Sequence, residues 1–459
     1  MKHIEATIQE RKIEFLDLKY CDLPGRLRHI TLPVERLAQA VSDGIGFDSS
    51  SVAGFRTVEA GDMVLRPDLD SAFVDPFAAQ PTVSCFAEVF DPVTGKRYER
   101  DPRSVLQRAL AAVRKATRAD DVMVLPEFEF YLFNSAEFYS DKSTSMYRVV
   151  TDELRHDDQT GMLLFKGPAY HVAPPFDRSS DFRSQLCQLM AGVGVPVKYH
   201  HHEGGRFSQV EIEPTYMTAL KAADGIVLTK YLVRNLAFRS ERSATFMPKP
   251  IHEEPGSGMH LHQYMVRDGV SLFGDEAAAH KLSETARYYI GGILEHAPSL
   301  CAFTNPSTNS YRRLTPGYEA PVLVFFSFAN RTAAIRIPGY ITSAQKMSIE
   351  YRIPDATGNP YLTLAAVLMA GLDGIRNKTD PGFPVKGRLE KPDQSYGRKS
   401  VPGSLGRALQ ELKQDAGYLE HEGVFGRDLI EKWIELKSLE QETIEKRPHP
   451  WEFNLYYGC

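Results

Sequence analysis

The sequence predicts an α+β protein of two domains, a small one over residues 1–100 and a larger one over 101–459. Three observations lead there. Before residue 100, short β-prone runs are separated by loops rich in Gly, Ser and Asp. At Asp101-Pro102 the texture changes: an N-capping Asp followed by Pro opens SVLQRALAAVRKA, whose apolar residues recur at helical spacing. Beyond that point strands alternate irregularly with long helices, which implies α+β packing and not a regular βαβ winding. No G-x-G-x-x-G or Walker-type loop follows a strand, which argues against a Rossmann or P-loop nucleotide site.

Residues 1 to about 20 read as a short helix running into a strand, and Pro24-Gly25 lies between two β-prone runs as a hairpin turn would. The block GIGFDSSSVAGFRTVEAGDMVLRPDLDSAFVDPF reads as β-structure with functional loops, and TVSCFAEVFD as a further strand. In the larger domain the helices are expected over Asp181–Gly192, Thr218–Arg239, Leu282–His296, Asn359–Ile375, Ser404–Asp415 and Arg427–Ile444. Asp380 to Pro402 reads as an exposed loop, and the aromatic end HPWEFNLYYGC suits either an interface or the core.

A chain of 459 residues, 42% hydrophobic, can bury a substantial core. Its net charge of -5 and pI near 6.3 provide no basic field for nucleic acid and no polybasic membrane anchor. No apolar run reaches the ~20 residues needed to span a bilayer, and no export signal opens the chain. Five scattered cysteines without a C-x-x-C pair fit a reducing cytoplasm.

Chemistry concentrates in four stretches. In VMVLPEFEFYLF, read as one extended strand from Val122 to Phe133, Glu127 and Glu129 project to one side and Phe128 and Phe130 to the other. Two close carboxylates resist joint ionisation unless they meet protons, a basic partner or cations. The pattern therefore suits a metal seat, or else a strand with a solvated acidic face. In KYHHHEGGRFSQVEIEP, Gln209, Glu211 and Glu213 share a face, and Gly204-Gly205 permits a bend after Glu203. A zinc reading of the three histidines fails because adjacent strand residues point alternately, whereas carboxylate-dominated sets suit Mg²⁺ or Mn²⁺. His260 and His262 sit two apart after Gly256-Ser257-Gly258, which lets backbone approach a ligand. Last come Arg313, Arg331, Arg336 and Arg352, near strand ends in an apolar region. Buried guanidinium groups need a carboxylate or phosphate partner, so these residues either recognise an anion or form structural ion pairs.

These stretches, with DLPGR, FDSSSVAGF, FMPKP, NPSTNSYRRLTPGYEAP, NRTAAIRIP and IEYRIPDATGNPYL in this order, resemble the type I glutamine synthetases along almost the whole chain. The resemblance implies a β-grasp-like N-terminal domain and a catalytic domain with a curved antiparallel sheet. It implies a cytoplasmic dodecamer of two stacked hexamers with active sites between neighbours. It further implies two or more Mg²⁺ or Mn²⁺ per site, one held by Glu129, Glu203 and Glu211, the other by Glu127, His260 and Glu350. ATP is then the cosubstrate for joining ammonium to L-glutamate through γ-glutamyl phosphate. Arg313 and Arg352, with the backbone of Gly256, are expected to hold glutamate. Arg331 and Arg336 face phosphates, with Tyr170 and His262 toward the nucleotide. Asp48 from a neighbouring subunit binds and helps deprotonate ammonium, and Glu319 closes the site.

The chain departs from the family pattern at Ser49, Leu125, Lys198, Pro255 and Tyr264, none of them an implied metal ligand. These changes keep a primary amine or polyamine open as the nucleophile, whereas retention of both Asp48 and Glu319 favours ammonium. A catalytically silent structural relative is expected to lose metal carboxylates, and all six ligand positions are filled here. Where some bacterial members carry an adenylylated tyrosine this chain has Arg388, so that control is not expected.

Overall fold

A computed structural model describes residues 2–154, 169–387, 389 and 398–459; Arg388 lies outside the described residues. After the helix Lys2–Glu10, the strand Phe15–Cys21 buries Leu16, Leu18 and Tyr20 on one face. It turns at Pro24-Gly25 into Leu27–Pro33, its antiparallel partner, with Cys21 opposite Leu27. Gly25 has φ +92°, and a Cβ there would meet Asn359 Cα at 2.9 Å, so the turn needs glycine for conformation and for room. The sheet continues in the order Leu27–Pro33, Phe15–Cys21, Thr82–Phe90, Asp62–Pro67, Ile45–Asp48. Phe15–Cys21 runs parallel to Thr82–Phe90, while the other neighbours are antiparallel. Leu16, Leu18, Leu65, Cys85 and Val89 form a core separate from that of the rest of the chain.

Asp101 caps the helix Pro102–Thr117 by accepting a hydrogen bond from Arg103 N, as its sequence signature predicts. Arg103 ties the two parts together, bonding Asp224 at 3.0 and 2.9 Å and Asp68 at 2.6 Å. Beyond it lie two further sheets. One has four strands in the order Val197–His202, Gln209–Pro214, Phe128–Phe133, Ser243–Thr245. The other runs Met217–Thr218, Asp121–Pro126, Leu261–Arg267, Ile349–Tyr351, Ile335–Ile337, Phe326–Phe328, with Val270–Ser271 beside Leu261–Arg267.

The stretch Val122 to Phe133 is therefore two strands, not one. Pro126 has no N–H to continue a ladder, and Glu127 N bonds His260 O at 2.9 Å as the chain crosses from one sheet to the other. That crossing joins the sheets into one curved, mainly antiparallel surface and puts Glu127 at the seam. The fold is the α+β arrangement with a β-grasp N-terminal domain that the sequence implies.

Helices Ala219–Arg239, Glu284–Thr304 and Pro360–Asn377 cover the surface with buried apolar side chains. Glu284–Thr304 passes the expected stop at His296: Pro298 omits one helical bond, but burial of Leu300, Cys301, Ala302 and Phe303 carries the helix on. The helix Pro450–Tyr456 is exposed, with Trp451 at 62%, so the aromatic end is not core within this chain. Among the described residues no helix is long and apolar enough to cross a membrane.

Candidate active site

Strand register assembles the acidic groups. Glu211 pairs with Glu129 on one side and His201 on the other, a row of three across the four-stranded sheet. His201 Nε2 stands 3.3 Å from Glu211. Glu203 follows the strand end, its N bonded to Gln209 O at 2.8 Å. In the second sheet Glu350 lies opposite both His262 and Arg336. Glu127, at the seam, receives His260 Nδ1 at 2.5 Å and faces His262 Nε2 at 3.2 Å. Alternation disperses the other histidines: His200 accepts from Arg183 Nε at 3.1 Å, while His202 meets Glu153 at 3.0 Å.

All the site residues named from the sequence line one cavity of about 220 Å³ except Asp48 and His262. Its two halves differ electrostatically. Burial, then the neighbouring Glu129 and Glu211 charges, push Glu203 well above the usual carboxylate range; burial, Glu127 and Glu129 do the same to Glu211. Burial also opposes ionisation of Glu127, but His262 and His260 hold it well below that range. Glu350, likewise buried, is drawn down to about 2 chiefly by Arg352.

The donor set fits divalent cations. Ligand atoms of His201, Glu203 and Glu211 lie within 4.8 Å of one another, as do those of Glu127, His262 and Glu350. Glu203 Oε2 is buried without a hydrogen-bond partner among the described residues. Such oxygen-rich, mutually repelling groups are what hard cations neutralise. The second cluster contains His262, and the expected His260 stands beside it, its Nδ1 bonded to Glu127 and 3.8 Å from Glu350.

The arginines have separate surroundings. Arg313 is buried, donates to Ile353 O at 2.8 Å and Arg352 O at 3.1 Å, and has no carboxylate partner among the described residues. Gly256 and Gly258 make room for it: a Cβ on Gly258 would lie 2.4 Å from Arg313 Nη2. Gln209 Nε2 fixes this segment through Gly256 O at 3.0 Å. Arg336 and Arg352 both pair with Glu350, the former at 2.5 Å, and Arg336 Nε is a buried donor without a partner among the described residues. At the mouth Arg331 meets Glu319 at 3.4 Å, both side chains about half exposed at 53% and 52%, with the guanidinium 5.6 Å from the Tyr170 ring centre. Asp48 is exposed on the N-terminal sheet, accepting from Ser50 N at 2.8 Å.

Residues 99–456 match the family described as "Glutamine synthetase, catalytic domain", and residues 12–92 match "Glutamine synthetase, beta-Grasp domain". A glutamine synthetase of Frankia alni is 44% identical, covering 98% of this chain and 97% of that one. The chain belongs to the glutamine synthetase family. It is an enzyme of that family, with the catalytic domain present. A glutamine synthetase of Streptomyces filamentosus is 42% identical over 99% of this chain and 98% of its own. Among solved structures, a Plasmodium falciparum glutamine synthetase superposes with TM-score 0.88 at 23% identity, covering 98% of this chain and 96% of that one, a likeness of fold. One described as "Apo GmaS without ligand" reaches 0.84 at 27% identity over all of both chains.

The departures from the glutamine synthetase pattern each have a local setting. Ser49 Oγ donates to Gly61 O at 2.8 Å, and Pro255 O accepts from Tyr131 Oη at 2.5 Å. Lys198 pairs with Glu213 at 2.6 Å, Tyr264 packs edge-on against Tyr216 at 5.1 Å, and Leu125 is buried opposite His262. Sequence reasoning passed over His201. Its signal was present, since residues 199, 201 and 203 share a face by alternation.

Proposed function

We propose that this enzyme joins ammonium to L-glutamate at the cost of ATP, through γ-glutamyl phosphate, giving L-glutamine, ADP and phosphate. The observation that carries the reading is the meeting of uncompensated carboxylates with a buried Arg313 that lacks an acidic partner, all in one cavity. Divalent cations held by Glu129, Glu203 and Glu211, and by Glu127, His260 and Glu350, would neutralise phosphate charge.

Arg313, with Arg352 and the backbone of Gly256, orients glutamate so that its side-chain carboxylate faces the γ-phosphoryl group. Arg336 and Arg331 receive phosphate oxygens, and Tyr170 and His262 border the nucleotide side. Glu319, at the mouth beside Arg331, shields the acyl phosphate from water and completes the ammonium pocket. Asp48, which does not line its own chain's cavity, serves a neighbour's site in a dodecamer of two stacked hexamers. There it accepts the proton that ammonium must lose before attack. Residues 1–100 then act as the β-grasp unit that delivers Asp48, and residues 101–459 as the catalytic unit.

The test is a nucleophile screen on purified protein with ATP, Mg²⁺ and glutamate. Ammonium should support phosphate release and glutamine formation. Turnover with methylamine or a polyamine but not with ammonium would overturn the reading in favour of a γ-glutamylamide ligase, the alternative that the departures at Pro255 and Tyr264 motivate.

A further inference from the structure

A second cavity, of about 440 Å³, lies between the N-terminal sheet and the helix Ala219–Arg239. Its sheet wall follows from strand alternation. Leu16, Leu18 and Tyr20 enter the N-terminal core, so Asp17 and Lys19 point to the other domain, paired across the ladder with Thr31 and His29. The charges on this wall are paired among themselves. Lys19 bonds Asp17 at 2.7 Å and stands 3.3 Å from Asp75, His29 Nδ1 meets Asp17 at 2.7 Å, and Tyr231 Oη donates to Asp75 at 3.0 Å.

The helix wall is not balanced. Lys230 and Arg234, one turn apart, face the same cavity, and neither has an ion-pair partner among the described residues. Lys230 Nζ donates to Ala356 O at 2.5 Å, and Arg234 stands at the exposed rim with its guanidinium 6.0 Å from the Phe246 ring centre. Burial, then the neighbouring Arg234 charge, push Lys230 down to about 8. Two like charges held side by side without a counter-charge are relieved by an anion. Spacing by one helical turn suits a ligand with two negative oxygens at separate points. Leu27, Phe77 and Val227 supply an apolar floor for a short carbon skeleton.

We infer that this interdomain cavity binds a small dianion, a dicarboxylate or a phosphate monoester, gripped by Lys230 and Arg234. None of its residues lines the catalytic cavity, so the ligand acts as an effector by bridging the two domains. Isothermal titration of the full-length protein, with the catalytic site filled by Mg²⁺ and ADP, tests this with succinate and glycerol 3-phosphate as separate probes. At least one should bind saturably, and which one identifies the class. Arg234→Gln should weaken that binding roughly tenfold or more, Arg234→Lys should restore part of it, and basal turnover should stay unchanged in both. Absence of saturable binding by either probe, or wild-type affinity in Arg234→Gln, would overturn the inference. Either result leaves the ligase reading untouched.

Discussion

Replacing Glu203 by Gln should stabilise the metal-free protein while strongly weakening its response to Mg²⁺. Ligand atoms of Glu203 and Glu211 approach within 4.8 Å. At an effective dielectric near 20, two unit charges at that range repel by roughly 3–4 kcal/mol. Part of this is relieved by proton uptake, since burial and neighbouring acids raise both groups, so the net gain in Glu203→Gln is about 1–3 kcal/mol. The sign with pH follows: the folded state binds more protons than the unfolded one, so wild-type stability falls as pH rises above about 4.5, and the variant's advantage grows. In a chain of this size the gain is worth roughly 1–2 °C per kcal/mol in unfolding midpoint. Mg²⁺ at 100 times its Kd stabilises the wild type by about 2.7 kcal/mol, and the variant should lose most of that. Thermal unfolding at pH 8 in chelator and in Mg²⁺ measures both effects. A variant less stable than wild type in chelator, with its Mg²⁺ response intact, would refute the reasoning.

Gly258→Ala places a Cβ 2.4 Å from Arg313 Nη2, so KM for glutamate should rise roughly tenfold or more with smaller effect on KM for ATP; equal changes in both would deny Arg313 its role. Glu319→Ala should raise the phosphate released per glutamine formed, because water then reaches the acyl phosphate; an unchanged ratio contradicts the shielding role. His296 is buried, which disfavours its charge, but Asp373 at 3.1 Å and Asp415 at 2.8 Å prevail and push it up to about 9. Its contribution, about 2–3 kcal/mol, is complete below about pH 6.5 and lost as pH rises to 9. Thermal midpoints across that range should fall in the wild type and flatten in His296→Gln.

Much of this was legible before any coordinates. The Asp101-Pro102 cap and the helical spacing after it mark where the long helices begin, and alternation within QVEIE puts Glu211 into a row with its neighbours. Other features depend on contacts distant in sequence. Only the second sheet reveals why Val122 to Phe133 breaks at Glu127, since His260 O competes for its N–H. Strand register brings His262 opposite Glu350, so that a second histidine stands with His260 beside that acid. Four arginines in one apolar region look equivalent in sequence. Pairing separates them: Arg336 and Arg352 share Glu350, Arg331 meets Glu319, and Arg313 rests on carbonyls with no carboxylate partner among the described residues. Pro298 resembles a helix stop until the burial of the turn beyond it is known.

The central claim is that one carboxylate of glutamate attacks the γ-phosphoryl group inside the acidic cavity. Glutamate labelled with ¹⁸O in its side-chain carboxylate, turned over with ATP, Mg²⁺ and ammonium, tests it most directly. The account predicts that each phosphate released carries one labelled oxygen, transferred when nitrogen displaces the acyl phosphate. Unlabelled phosphate accompanying glutamine formation would contradict it.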